Sequence, residues 1–175
     1  MRLRSATRED AASLSLLHAE TWKATYVGQV PEVLASERIR RARERDWVTH
    51  TERRVAAGGD VLVVTEDQAV VGFCEYGPTE DDDDDPSHVG HIMRVYVHPQ
   101  SQSKGAGRIL VQAACDQLAA DGYDEVTLWT LDHATNRALG FYAHLGWARE
   151  DVLNDEEPAD RRYRLRLAQV VTEDC

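Results

Sequence analysis

The residues best suited to chemistry gather in Val95-Tyr96-Val97-His98-Pro99-Gln100-Ser101-Gln102-Ser103-Lys104-Gly105-Ala106-Gly107-Arg108. The stretch begins as a buried strand, passes through a turn of small residues and ends as a new helix. Gly105 and Gly107 leave the backbone bare, so successive amides can converge on an anion while the helix points its positive end at the same place. Such a turn suits a pyrophosphate. Two common phosphate loops do not fit it. In a P-loop the lysine directly follows the final glycine, whereas here Lys104 precedes Gly105 and Arg108 follows Gly107. A dinucleotide fingerprint needs a third glycine where this chain has Leu110, and an acidic residue closing the next strand. Both failures speak against a nucleotide-binding protein.

What does fit is Gln102-x-x-Gly105-x-Gly107 immediately after Val95-x-Val97-x-Pro99, followed later by Ala138-x-x-Phe141-Tyr142-x-x-Leu145-Gly146-Trp147. Together the two motifs resemble the coenzyme A site of the GNAT-type N-acetyltransferase superfamily, and the resemblance covers nearly the whole chain. It implies an α/β fold of GNAT type. The expected core is a mixed, mostly antiparallel sheet of roughly six to seven strands flanked by about four helices, with a splayed strand pair for coenzyme A. It also implies acetyl-CoA as donor. The function would be transfer of acetyl to a primary amine of a small molecule or protein, by direct attack through a tetrahedral intermediate.

The resemblance distributes roles residue by residue. The Val97 backbone would pair with the pantetheine amides, with Tyr96 beside it, and the Val95 N–H would face the thioester carbonyl and stabilise developing negative charge. The amides of Gln102, Ser103, Lys104, Gly105, Ala106, Gly107 and Arg108 would hold the pyrophosphate, with Lys104 or Arg108 adding positive charge. Tyr142 would protonate the departing coenzyme thiolate, since a phenol keeps its proton at neutral pH; the other reading of Phe141-Tyr142 is a core aromatic pair. Where the family pattern has asparagine this chain has Thr135, and Asn136 comes one residue later. Asn136 therefore either reaches the pantetheine or only caps a helix. A non-catalytic acyl-CoA-binding module would keep the loop without needing Tyr142. The presence of that tyrosine, and the lack of an output domain along the chain, favour an enzyme.

An ammonium acceptor must lose a proton before it attacks, so a general base is expected. His91, four residues before Val95 and expected on the same strand face, is one candidate; Glu75, at the end of the neighbouring hairpin strand, is the second. Their plainer readings are a satisfied or exposed strand histidine and an enzyme with no dedicated base. The acidic run Glu80 to Asp85 is either a solvated loop or an attractor for a cationic small-molecule or peptide acceptor. Trp22 and Tyr26 are either acceptor wall or core.

These residues need elements to carry them. Leu3 marks a short first strand, and Thr7 caps the helix that carries Leu14 and Leu17. From about Pro31, with Ile39, Trp47 and Val55 recurring at multiples of eight, a surface helix is expected to end at Gly58-Gly59. Val61–Val64 and Ala69–Cys74 make a hairpin, and Val89–Val97 a third strand ended by His98-Pro99. A helix over Gly107–Ala120 buries Leu110, Ala113, Ala114 and Leu118. A strand over Val126–Leu131, a helix from about Asn136 to Leu145, and a strand where Tyr163, Leu165 and Leu167 alternate with Arg162, Arg164 and Arg166 complete the pattern.

With 175 residues and no internal repeat or long linker, residues 1–175 read as one domain. A net charge of -11 argues against a nucleic-acid partner, whose binding rests on lysines and arginines. No apolar run spans a bilayer and the N-terminus does not read as a secretory signal, so a cytoplasmic location is expected. Cys74, Cys115 and Cys175 lack metal or redox spacing and read as reduced; no metal site is expected. The chain is expected to act as a monomer or a homodimer.

Overall fold

The computed structural model describes residues 1–26, 28–156 and 158–168. Strand β2 (Asp60–Glu66) shows how the layers form. Leu62 and Val64 turn to one face of the sheet and Val61 and Val63 to the other, and all four are buried because helices cover both faces. The remaining strands are β1 (Arg2–Ser5), β3 (Ala69–Pro78), β4 (Val89–Val97), β5 (Glu125–Leu131), β6 (Ala148–Leu153) and β7 (Asp160–Arg166). They form a seven-stranded sheet in the order β1-β2-β3-β4-β5-β7-β6. Only β4 and β5 run parallel; the other neighbours are antiparallel.

Among the described residues five α-helices flank this sheet: α1 (Ala11–Tyr26), α2 (Glu32–Glu44), α3 (Trp47–Ala56), α4 (Ala106–Ala120) and α5 (Arg137–His144). Helix α4 lays Leu110, Ala114 and Leu118 against Leu62, Val64, Cys74, Ile92, Val126 and Leu128, with Tyr142 of α5 and Trp147 completing that core. On the opposite face Leu14 and Leu17 of α1 and Trp47 of α3 pack on Val61, Val63 and Phe73.

Two irregularities in β4 shape the centre. Its pairing with β5 runs only from Val89 to Ile92, so beyond Ile92 the β5-facing edge of β4 has no strand partner among the described residues. On the other edge, Glu75 opposes Arg94 while Tyr76 opposes Ile92, which leaves Met93 as an extra residue in a β-bulge. The bulge reverses the alternation. Ile92, Val95 and Val97 all pack into the α4 core, so His91 shares its face with Arg94 and Tyr96 and not with Val95, contrary to the expectation from unbroken period-two spacing.

Three other expectations change. The single surface helix from Pro31 to Gly58 is two helices, because Arg45 leaves helical geometry at φ -62, ψ 125 and Asp46 caps α3 by accepting from Thr49 N at 3.2 Å. The reversal carries Trp47 into the core, where it is 2% exposed. Strand β6 was not foreseen; it pairs with β7 at the sheet edge through a register shift between Arg149 and Leu153. Two of the three alternating arginines of β7 are drawn under the acidic loop, Arg162 buried at 4% exposure and Arg164 half-buried, while Arg166 stays exposed.

Candidate active site

Two clefts open on the sheet where β4 and β5 part. The first, of about 590 Å³, is lined by Val95, Tyr96 and Val97, by Gln102, Ser103, Gly105, Gly107 and Arg108, and by Asn136, Arg137, Ala138, Phe141 and Tyr142. The turn between β4 and α4 is tied at its start: His98 Nδ1 accepts from Gln100 N and the Gln102 side chain donates to Val97 O at 3.1 Å. It closes on Gly105, whose φ of +92 is a left-handed conformation that strains any other residue. Gly105 is the N-cap of α4 and offers no side chain to its first amides, so these are free to meet an anion. At Gly107 a Cβ would lie 3.4 Å from Phe141 Cζ, which marks how closely α4 begins against α5.

These features fit coenzyme A: a bare helix N-terminus for the pyrophosphate, flanking arginines, and an unpaired strand edge for a polyamide arm. Lys104 does not join them, since it lies outside the cleft lining and pairs with Glu66 at 3.6 Å. Arg137, not anticipated, lines the cleft together with Arg108. Ala106 is buried in the core at 1% exposure and can offer only its backbone. The ambiguity over Asn136 resolves towards capping. It is 5% exposed, accepts from Ala138 N at 3.1 Å, and donates to Leu131 O at 2.7 Å and Thr130 Oγ1 at 3.1 Å, so its amide has full local partners. Tyr142 is buried against Phe141, Trp147 and Tyr163 while lining the cleft; burial, aided by Cys74 and Tyr96, pushes its phenol well above the usual range.

The second cleft, of about 500 Å³, lies between α1, α2 and the β4–β5 surface. His18, Trp22 and Tyr26 line it from α1, Leu34, Arg38, Arg41 and Ala42 from α2, and His91, Arg94, Trp129 and Asp160 from the sheet. Tyr26, Met93, Arg94, Tyr96, Trp129 and Thr130 line both clefts, so the two meet at the bulge in β4. Trp22 and Tyr26, whose ring centroids stand 4.4 Å apart, are therefore wall residues as well as packing partners.

Of the two base candidates only His91 reaches this cleft. Its Nδ1 lies 2.8 Å from Thr127 Oγ1, and that hydroxyl donates to Gly90 O at 3.4 Å. The hydroxyl thus accepts from Nδ1–H, which leaves the Nε2 lone pair available. Burial lowers the imidazole pKa, though Asp81 and Glu80 oppose it, so the ring is neutral around pH 7. Glu75 is absent from the lining of both clefts and is 0% exposed. Burial raises its carboxyl, but the hydrogen bond from His50 and the charges of Arg94 and Arg54 outweigh this and bring it to about 2. A carboxylate so placed is a counter-ion and a poor proton acceptor.

The acidic run is likewise occupied. Asp83 accepts both Arg162 terminal nitrogens at 2.7 and 2.8 Å, Asp84 accepts Arg164 Nη2 at 2.9 Å, and Asp81 accepts from Trp129 Nε1 at 3.0 Å. Three of its aspartates therefore fasten the loop to β5 and β7 and are not left to attract a cation.

Arg45, Arg94 and Asp160 escaped the sequence reading because nothing local marks them. Asp160 begins β7, and its carboxyl is pushed up to about 6 by burial and then by Glu156. The thiols of Cys74 and Cys115 are buried in the α4 core, outside both clefts; burial raises both, Cys115 to about 12. Cys175 lies outside the described residues. No helix among the described residues is long and apolar enough to cross a membrane.

Comparison with known proteins places this geometry in context. The Acetyltransferase (GNAT) family profile matches residues 19–147. An uncharacterized N-acetyltransferase, YuaI of Bacillus subtilis (strain 168), is 24% identical over 140 residues, 80% of this chain and 76% of YuaI. L-amino acid N-acyltransferase MnaT of Escherichia coli (strain K12) is 33% identical over 96 residues, 55% of this chain and 54% of MnaT. Among solved structures, PaiA N-acetyltransferase from Thermoplasma acidophilum in complex with coenzyme A superposes with a TM-score of 0.79 at 22% identity, covering 94% of this chain and 98% of that one.

Proposed function

The chain belongs to the GNAT family of acetyltransferases, and from its two adjoining clefts we propose that it moves an acetyl group from acetyl-CoA directly to the primary amine of a small molecule or protein. The observation that carries this reading is the unpaired edge of β4 beyond Ile92, which ends at the uncapped N-terminus of α4 and adjoins a separate cleft for the second substrate. When bound, acetyl-CoA supplies an acetyl group activated as a thioester.

In this proposal the first amides of α4 take the pyrophosphate, and Arg108 and Arg137 add charge to the phosphates. Main-chain groups of Val95 and Val97 hold the arm along β4, with the Val95 N–H directed to the oxygen that gains charge. His91 Nε2 accepts the proton the ammonium must lose, and Tyr142 gives its proton to the thiolate. The buried, proton-holding thiols of Cys74 and Cys115 support direct transfer without an acyl-enzyme.

Calorimetry with acetyl-CoA and with ATP, followed by free-thiol release with a panel of amines, tests this reading. Acetyl-CoA binds and ATP does not, the Arg108→Ala/Arg137→Ala variant binds acetyl-CoA more weakly, and at least one amine releases thiol. Binding with no thiol release from any amine turns the chain into a non-catalytic acyl-CoA-binding module. Preference for ATP removes the reading altogether.

A further inference from the structure

The acceptor-side cleft is rich in arginine for so acidic a chain. The net charge is -11, yet among the described residues Arg38, Arg41, Arg45 and Arg94 line this cleft with Glu156 and Asp160. Three of the arginines have carboxylate partners: Arg38 pairs with Glu156, Arg41 with Glu37, and Arg94 with the buried Glu75. Glu75 is shared further with His50 at 2.9 Å and with Arg54 at 3.0 Å, which also meets Glu80 at 3.3 Å, so Arg94 does not have this carboxylate to itself.

Arg45 has no carboxylate partner among the described residues. Its Nη1 lies 3.2 Å from His50 Nδ1 and its guanidinium lies over the Trp47 ring at 5.7 Å. Its Nε is buried with no hydrogen-bond partner among the described residues. Burial, and then the charge of Arg94, disfavour its protonated form. A buried guanidinium nitrogen without an acceptor is costly to the fold and marks a place where an anion belongs. Arg94 faces the same group from the sheet and lines both clefts, so an anion held between them lies close to the β4–β5 opening.

Building on the acetyltransferase reading above, we propose that the acceptor is an amine that also bears a carboxylate a few atoms away, of the amino-acid type, with the carboxylate held by Arg45 and Arg94 and the amine directed to the opening in the sheet. Trp22, Tyr26 and Leu34 supply apolar surface for the rest of the molecule. The acidic run, one candidate attractor for a cationic acceptor, is engaged with Arg162 and Arg164.

The test uses the wild-type protein with acetyl-CoA and matched pairs of free L-amino acids and their α-amides, with spermidine as a cationic reference, read by thiol release. The amide's amine loses its proton more readily than that of the acid, so a preference for the acid cannot come from the nucleophile. The acid is expected to exceed its amide in kcat/KM by roughly 10- to 100-fold, the range of a charge-assisted hydrogen bond. In Arg45→Gln that ratio collapses to within a few-fold; should this variant not fold, the wild-type pairs decide alone. Amides or spermidine accepted as well as the acids overturn the carboxylate assignment and leave the transferase reading standing. Acetyl-CoA bound with no thiol released from any amine overturns the transferase reading, and this inference with it.

Discussion

Replacing Glu75 by glutamine tests whether this buried carboxylate serves the fold or the chemistry. The side chain is 0% exposed on β3 and accepts from His50 Nε2 at 2.9 Å, Arg54 Nε at 3.0 Å and Arg94. Its fall from an ordinary 4.5 to about 2 corresponds to about 3 kcal/mol of stability. The folded value lies below the unfolded one, so this contribution is complete above about 4.5 and is lost as pH falls towards 2. Glutamine keeps the shape but leaves Arg54 and Arg94 without their buried counter-charge, a change that costs about 3–5 kcal/mol in comparable settings. Urea unfolding at pH 7 should therefore show Glu75→Gln about 3 kcal/mol less stable, with Tm lower by roughly 6–12 °C. The gap should narrow as both proteins are taken below pH 4.5. A gap under about 1 kcal/mol at pH 7, or one that does not change with pH, refutes the electrostatic reasoning. A variant that keeps its stability but loses turnover returns Glu75 to the list of bases.

Tyr142→Phe keeps the ring packing against Phe141 and Trp147 and removes only the proton donor. It is expected to lower kcat roughly 100-fold or more with little change in acetyl-CoA affinity by calorimetry, and unchanged turnover would remove the acid role. Asp160→Asn should have the opposite effect on stability to Glu75→Gln. Its carboxyl is raised to about 6, so the folded state is penalised as pH climbs from about 3.8 through 6. The variant should gain up to about 3 kcal/mol at pH 7 and nothing near pH 3.5, by denaturant titration. Equal stability at pH 7 would mean that the carboxyl is not strained.

Much of the site was legible because its chemistry is local. Val95 to Arg108 encode strand, turn and helix start within one stretch, and a bare turn exposes its amides whatever packs behind it. The β-branched runs of β2 and β3 and the helical stripe of α4 were legible for the same reason, since each is a local pattern of residue types. The turn at Arg45 was not. No glycine or proline stops the chain continuing its helix through Asp46, whose capping of α3 is joined by the fit of Trp47 beside Phe73, with ring centroids 5.0 Å apart.

The sequence alone determined the family resemblance, the glycine turn between β4 and α4 and the order of most elements, because each depends on neighbours in the chain. Tertiary structure decided what the charged residues are for. Met93 bulges only when β4 meets β3, and that bulge turns His91 to the second cleft. Glu75 is bound by arginines 19 and 21 residues away, and Asp81, Asp83 and Asp84 by arginines about 80 residues away. A carboxylate or guanidinium has the same intrinsic chemistry everywhere in a sequence. Its protonation, and whether it is free to meet a substrate, depend on the charges and burial that folding brings around it.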